Sequence, residues 1–290
     1  MQCIFGGSET DSKEHVVPAW LQRKFKLQEQ TINIPNGTTL KYKFLVVLAH
    51  QAENSKFGEI EDRISNDQFN LDEVYLWALK IHIGLIFRDS SLRTDIRDPK
   101  SDFILDIGSF ESEIALFRMM YQHWKRGGKT SPSPFGSVFI LDSLLPHDEF
   151  DLFHCLITGT VGIHTGGKFI VVFLWDQGDA MAANIGEQWN RYHLPNAASY
   201  VGHENYSSHC YMAHHVWACE SAYWLYRNRR RINMILSTDQ FILIPPVSRS
   251  EPKPPTEDEY RYVCASFGLG LTKFNGEVAN VYTQHARIKA

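Results

Sequence analysis

Two stretches, Lys13-Glu14-His15-Val16-Val17-Pro18-Ala19-Trp20-Leu21 and His50-Gln51-Ala52-Glu53-Asn54-Ser55-Lys56-Phe57-Gly58-Glu59-Ile60-Glu61-Asp62, set the reading of this chain. The first places a carboxylate beside an imidazole, with a proline three residues on. The second opens a short helix expected over residues 54–65, polar on most faces, with Phe57, Ile60 and Ile64 on one apolar stripe. On a helix, positions 54, 58, 61 and 62 share a face, so Asn54 looks the same way as the Glu61/Asp62 pair across Gly58. Between the two stretches lies Pro35-Asn36-Gly37. Asn-Gly flanked by apolar residues signals a tight turn, because both residues tolerate positive φ. Residues 43–48 then read as the returning strand, Gly6-Gly7 as a turn, and the chain through Val16-Val17 as strand-like.

Further on, the pattern changes twice. Residues 71–87 are apolar nearly all round, which predicts a buried helix. A second helix is expected over 110–125, with Ser109 as N-cap, Glu111 and Glu113 in the first turn and Gly127-Gly128 as the stop. After a loop over 130–134, the runs 137–141, 153–157 and 169–175 are β-rich, set off by Gly and Pro, and are expected to form one antiparallel sheet. Helices are expected over 181–192 and 209–230, a strand over 240–244 and a proline-rich linker over 248–255. Thr256-Glu257-Asp258-Glu259 has capping-box spacing and opens a last helix. The expected fold class is α+β. A small N-terminal module, residues 1–66, precedes a larger α+β domain, residues 67–290, with a mainly antiparallel sheet and flanking helices.

Composition narrows the function. With 43% apolar and 21% charged residues over 290 positions, the chain has a globular rather than a disordered composition. A net charge of -4 excludes a protein that coats nucleic acid by bulk charge, so phosphate contacts must come from local clusters. Five scattered cysteines (Cys3, Cys155, Cys210, Cys219, Cys264) give no disulfide framework and point to a reducing compartment. The most apolar run, 169–175, is too short to cross a bilayer. The opening residues carry no basic leader followed by an apolar stretch, so no secretory signal is expected and the expected location is the cytoplasm.

The first 65 or so residues resemble the HNH (ββα-metal) endonuclease family, in its bacterial form reading C-x-x-C-G, then E-H-V-x-P-x-W-L, then C-x-x-C-N-x-x-F-G-x-x-E. Cys3, Gly7, Glu14, His15, Val16, Pro18, Trp20, Leu21, Asn54, Phe57, Gly58 and Glu61 sit where that pattern wants them. The resemblance implies a metal-dependent endonuclease acting on nucleic acid, DNA in the first place, of the kind found among restriction and anti-phage effectors. His15 would be the general base, since an imidazole of near-neutral pKa suits that task. Asn54 would orient His15 or its loop. Glu14 would ligate a divalent cation, implied to be Mg²⁺, together with Glu61 or Asp62 at the family's third position. The four zinc positions of the pattern fall on Cys3, Gly6, His50 and Glu53. Glycine offers no ligand, so the knuckle is either a three-ligand zinc site on Cys3, His50 and Glu53 or a knuckle that packs without metal. A non-catalytic descendant, binding nucleic acid or a protein, is the competing expectation, and a regulatory protein partner or a homo-oligomer fits either reading.

Charge marks two candidate nucleic-acid contacts. From Lys13 to Lys56 seven basic residues face three acidic ones, with Lys13, Arg23 and Lys24 nearest His15 in sequence, whereas residues 66–290 carry 21 basic against 25 acidic. Arg227, Arg229 and Arg230 follow Tyr223, Trp224 and Tyr226, a pattern that suits nucleic acid. It suits equally a basic last turn complementing a helix dipole. His209, His214 and His215 sit with Cys210 and Cys219 on one expected helix, His215 and Cys219 sharing an i, i+4 face; lacking a second ligand pair, they read as core or interface residues. His203-Glu204-Asn205 reads as loop and His164-Thr165-Gly166-Gly167 as a turn.

Overall fold

The computed structural model describes residues 2–7, 10–130, 132–143, 147–182, 217–219, 221, 222, 225, 233–236, 241–244, 256–267, 269–274 and 279–283. The chain is mixed α and β and divides into two compact units, Met1–Lys129 and Thr130–Ala290. Among the described residues no helix is long and apolar enough to cross a membrane.

The first unit begins with strand β1 (Ser12–His15) and the short helix α1 (Ala19–Lys24), then the hairpin β2 (Thr31–Asn33) and β3 (Thr39–Lys41). The turn forms as expected: Gly37 takes a positive φ of 78°, and Asn36 Oδ1 accepts from the Thr38 backbone N–H at 3.1 Å. The returning strand differs. It is β3, and residues 42–44 make a 3₁₀ turn before β4 (Val46–Ala49), which pairs antiparallel with β1. Helix α2 (Gln51–Ser65) follows β4 directly and buries the expected stripe of Phe57, Ile60 and Ile64.

Helix α3 (Leu71–Asp89) is the centre of the unit. Asn70 caps it by accepting from the Glu73 backbone N–H, and every residue from Glu73 to Asp89 is buried. It packs against α2, β4 and α4 (Glu111–Lys125). The module boundary expected at residue 66 therefore lies inside a unit that runs to Lys129. The physical reason is that α3, apolar on all sides, needs the preceding strands and helix as its cover. Ser109 does not cap α4. Its hydroxyl donates to Asp106 Oδ2 at 3.0 Å within a 3₁₀ turn (Ile107–Phe110), and the helix starts one residue later than expected, at Glu111. Phe5, Phe57, Phe117 and Tyr121 form an aromatic cluster, with Phe5 centred 5.0 Å from Tyr121 and 5.4 Å from Phe57. It ties the first residues of the chain to α2 and α4.

The second unit holds a four-stranded antiparallel sheet in the order β5 (Ser137–Asp142), β8 (Lys168–Phe173), β7 (Thr160–Thr165), β6 (Phe150–Cys155). Strand β7 falls between the expected runs. Gly162 and His164 keep it from reading as a continuous apolar run, yet its burial is complete because it lies inside the sheet. A Cβ on Gly162 would stand 1.7 Å from Phe153 Cζ, so the glycine lets that ring lie across the strand. Phe153, Phe169, Val171 and Phe173 share a core with the helical residues Trp217, Cys219 and Leu225. Val263, Cys264 and Phe267 complete it, from or just beyond α6 (Glu257–Ser266), which Thr256 caps as its sequence predicts. Helix α5 (Asp179–Ala182) takes the start of the expected 181–192 helix, and the rest of that segment lies outside the described residues. Two further antiparallel pairs are β9 (Asn233–Leu236) with β10 (Phe241–Ile244), and β11 (Leu269–Phe274) with β12 (Ala279–Thr283). Of these only the strand near 240–244 is foreseen. Cys3, Cys155, Cys219 and Cys264 are all buried and form no disulfide among the described residues, with Cys219 Sγ 4.0 Å from Cys264 Sγ.

One contact tests the α3 packing. A Cβ on Gly84 would stand 2.9 Å from Val16 Cγ2, so α3 meets the chain just after β1 at closest approach. Replacing Gly84 by Val should lower the unfolding free energy by about 2 kcal/mol through overpacking, read as a fall in the denaturant midpoint with unchanged slope.

Candidate functional site

Strand β1 carries Glu14 and His15 to the edge of the first unit, in register with Val47 and Val46 of β4. Helix α2 lies beside them. The Asn54 side-chain amide donates to the Lys13 carbonyl at 3.3 Å, so it holds β1 rather than the imidazole itself. His15 is half-buried, and its ring is fixed from α1. The buried Gln22 amide donates to the Val17 carbonyl at 2.8 Å and meets His15 Nδ1 at 3.2 Å. An amide nitrogen pointed at Nδ1 makes that atom the acceptor, which leaves the proton of the neutral ring on Nε2. Burial holds the imidazole below its ordinary pKa. Glu14 opposes that shift, while Lys80 and Arg23 add to it.

Glu14 and Glu61 converge, and between them stands a side chain the motifs do not contain. Lys80, wholly buried on α3, makes an ion pair with Glu14, another with Glu61 Oε1 at 2.8 Å, and a hydrogen bond to the His15 carbonyl at 2.7 Å. Its ammonium lies 5.7 Å from the centre of the Phe57 ring. Burial pushes the Glu61 carboxyl up to about 7 against the pull of Lys80. The charges of Glu14 and Glu61 keep Lys80 above its ordinary value in spite of its burial. Asp62, the other carboxylate at the third position, is exposed, and its carbonyl accepts from Ser65 Oγ and Asn66 Nδ2.

The residues at the four zinc positions are drawn apart by partners of their own. Cys3 is fully buried, and its carbonyl accepts from Arg118 Nη2 at 2.6 Å. A Cβ on Gly6 would meet the Arg118 side chain at 3.5 Å. Glu53 is held by Tyr121 Oη and by Lys125 Nζ, each at 2.7 Å. These two donors bring its carboxyl below its ordinary value against the effect of burial. His50 Nε2 lies 3.9 Å from Asp11 Oδ2. Among the described residues no group of three or more His, Cys, Asp and Glu could hold a metal ion. Neither implied metal fits the residues as they stand, since Lys80 takes oxygens of Glu14 and Glu61, and Tyr121 and Lys125 take those of Glu53.

Of the basic candidates, Lys13, Arg23 and Lys24 are exposed near His15. Lys41 and Lys43 turn instead to Glu29, at 2.7 and 2.5 Å, and bring its carboxyl down to about 2. Arg227, Arg229 and Arg230, with His203, His209, Cys210, His214 and His215, lie outside the described residues. His164 is buried in β7 and stacked on Phe169 at 4.2 Å. Sequence motifs miss Lys80, Gln22, Arg118, Tyr121 and Lys125. For Lys80 a signal exists, because a lone lysine inside a helix that is apolar all round must find buried carboxylates.

No family model, curated protein or solved structure matches this chain.

Two measurements follow from this geometry. Tyr121→Phe should cost about 1 to 2 kcal/mol by stripping Glu53 of a donor, read by chemical denaturation of the full chain. A histidine titrating below 6.5 when folded contributes stability that is present above pH 6.5 and lost as pH falls through the folded value. Thermal melts of a His15→Gln variant should therefore fall less steeply below pH 6.5 than those of the parent.

Proposed function

We propose that the first unit is an HNH-derived module that grips the phosphate backbone of nucleic acid, DNA in the first instance, without hydrolysing it. The observation that carries this reading is Lys80. A hydrolytic site of this family needs a divalent cation with open positions for phosphate, and here a buried ammonium meets Glu14, Glu61 and the His15 carbonyl at once. The ring of His15 supports the same reading. With Nδ1 facing Gln22, the neutral imidazole offers an N–H at Nε2, a donor for a phosphate oxygen and not a base for water. Arg23 acts on the ring with its positive charge, and Lys13 on β1 and Lys24 on α1 are exposed cations of the two elements that hold it.

A second reading is the metal-dependent endonuclease itself. It draws on the placement of His15 at the end of β1, on its neutral imidazole and on the tie between Asn54 and Lys13. One experiment separates the two. The full chain should bind duplex DNA with an affinity that falls as salt rises, and Arg23→Ala combined with Lys24→Ala should flatten the log–log salt slope by about 1 to 2. It should leave supercoiled plasmid intact in Mg²⁺ or Mn²⁺. Metal-dependent cleavage that disappears in His15→Ala would replace binding by hydrolysis as the function of this site.

A further inference from the structure

We infer that Lys80 is the resident cation of this site: its ammonium holds the place between Glu14 and Glu61 that a divalent metal would take, and removing it uncovers a divalent-cation site. The inference deepens the binding reading, and its test needs no nucleic acid.

Three observations point the same way. The polar partners of Nζ are all oxygen, with Glu14 and Glu61 supplying carboxylates and His15 a backbone carbonyl. Hard divalent cations choose that donor set, at distances of about 2.0 to 2.6 Å, closer than the 2.7 and 2.8 Å of the ammonium contacts to His15 and Glu61. Next, Glu61 Oε1 is buried and lies 2.8 Å from Lys80 Nζ, so the ammonium answers this carboxylate out of reach of water. Last, the charges do not balance. Two carboxylates share one buried ammonium, and a doubly charged ion would neutralise both.

Charge replacement recurs at the positions where the pattern has zinc ligands. Lys125 and Tyr121 hold Glu53, and Arg118 occupies the space beside Gly6 and binds the Cys3 carbonyl. Both sites are thus filled from helices that follow the strand–strand–helix segment, Lys80 from α3 and the other three from α4.

The test uses the full chain and Mn²⁺ alone, with free ion followed by electron paramagnetic resonance and folding by circular dichroism. The parent protein should leave the Mn²⁺ signal unchanged at concentrations where Lys80→Ala takes up about one ion per chain. Uptake should vanish in Lys80→Ala combined with Glu61→Gln. Should Lys80→Ala be unfolded in metal-free buffer, added Mn²⁺ should restore its folded spectrum and a cooperative melt. Stoichiometric Mn²⁺ uptake by the parent that is lost in Glu14→Gln would overturn the inference. So would a folded Lys80→Ala that takes up no ion, or an unfolded one that Mn²⁺ does not restore.

Discussion

A buried ammonium between two carboxylates is the constraint on which the first unit depends. Taking a lysine out of water costs several kcal/mol, recovered only when oppositely charged and hydrogen-bonding partners are in place. Lys80 finds them on two other elements: Glu14 and the His15 carbonyl on β1, and Glu61 on α2. One nitrogen on α3 thereby fixes the strand and the helix that carry the candidate site. Removing any partner leaves charge without an answer in a dry interior, so the three elements stand or fall together. Burial raises Glu61 far above an ordinary carboxyl, with Lys80 opposing that shift and Glu14 adding to it. That position is the least settled electrostatically in the unit.

The same logic organises the edge formed by the first residues. In the family that the sequence resembles, metal ions would gather these segments. Here Arg118 reaches backbone carbonyls of Cys3 and Ile4, and Tyr121 and Lys125 clamp Glu53. The aromatic cluster of Phe5, Phe57, Phe117 and Tyr121 lies beside these contacts and adds apolar burial to them. Side chains of a helix that follows the motif do the joining, which is why the compact unit extends well beyond residue 66.

Local signals in the sequence carried much of the fold. The Asn36-Gly37 turn, the stripe of α2, the buried α3, the Thr256 cap and the antiparallel character of the sheet around β5 and β8 all follow from period and turn chemistry. Strand β7 was hidden because Gly162 and His164 interrupt its pattern, and its reason for being a strand is its two neighbours. The resemblance joined Glu14 to Glu61 or Asp62, and helix geometry put Asn54 on the face of that pair without choosing between them. Lys80 was legible only as a lone lysine in a helix apolar all round, which calls for buried carboxylates without saying which. Gln22 is a similar case: a polar residue on a short helix reveals nothing of the ring it fixes until α1 is placed against His15. Long-range charge pairing has no spacing rule, and this is where reading by motif ends.

The bonds from Arg118 also bear on the order in which the unit comes together. They join residues 114 and 115 positions apart along the chain, and such distant closures form late because loop entropy must first be overcome. On a ribosome adding about 5 to 20 residues per second, Ile4 and Phe5 wait several seconds before α4 exists to cover them. During that interval Ile4, Phe5 and the apolar stripe of α2 are open to chaperones or to misassociation. The unit is slow to close by construction, whatever its final stability.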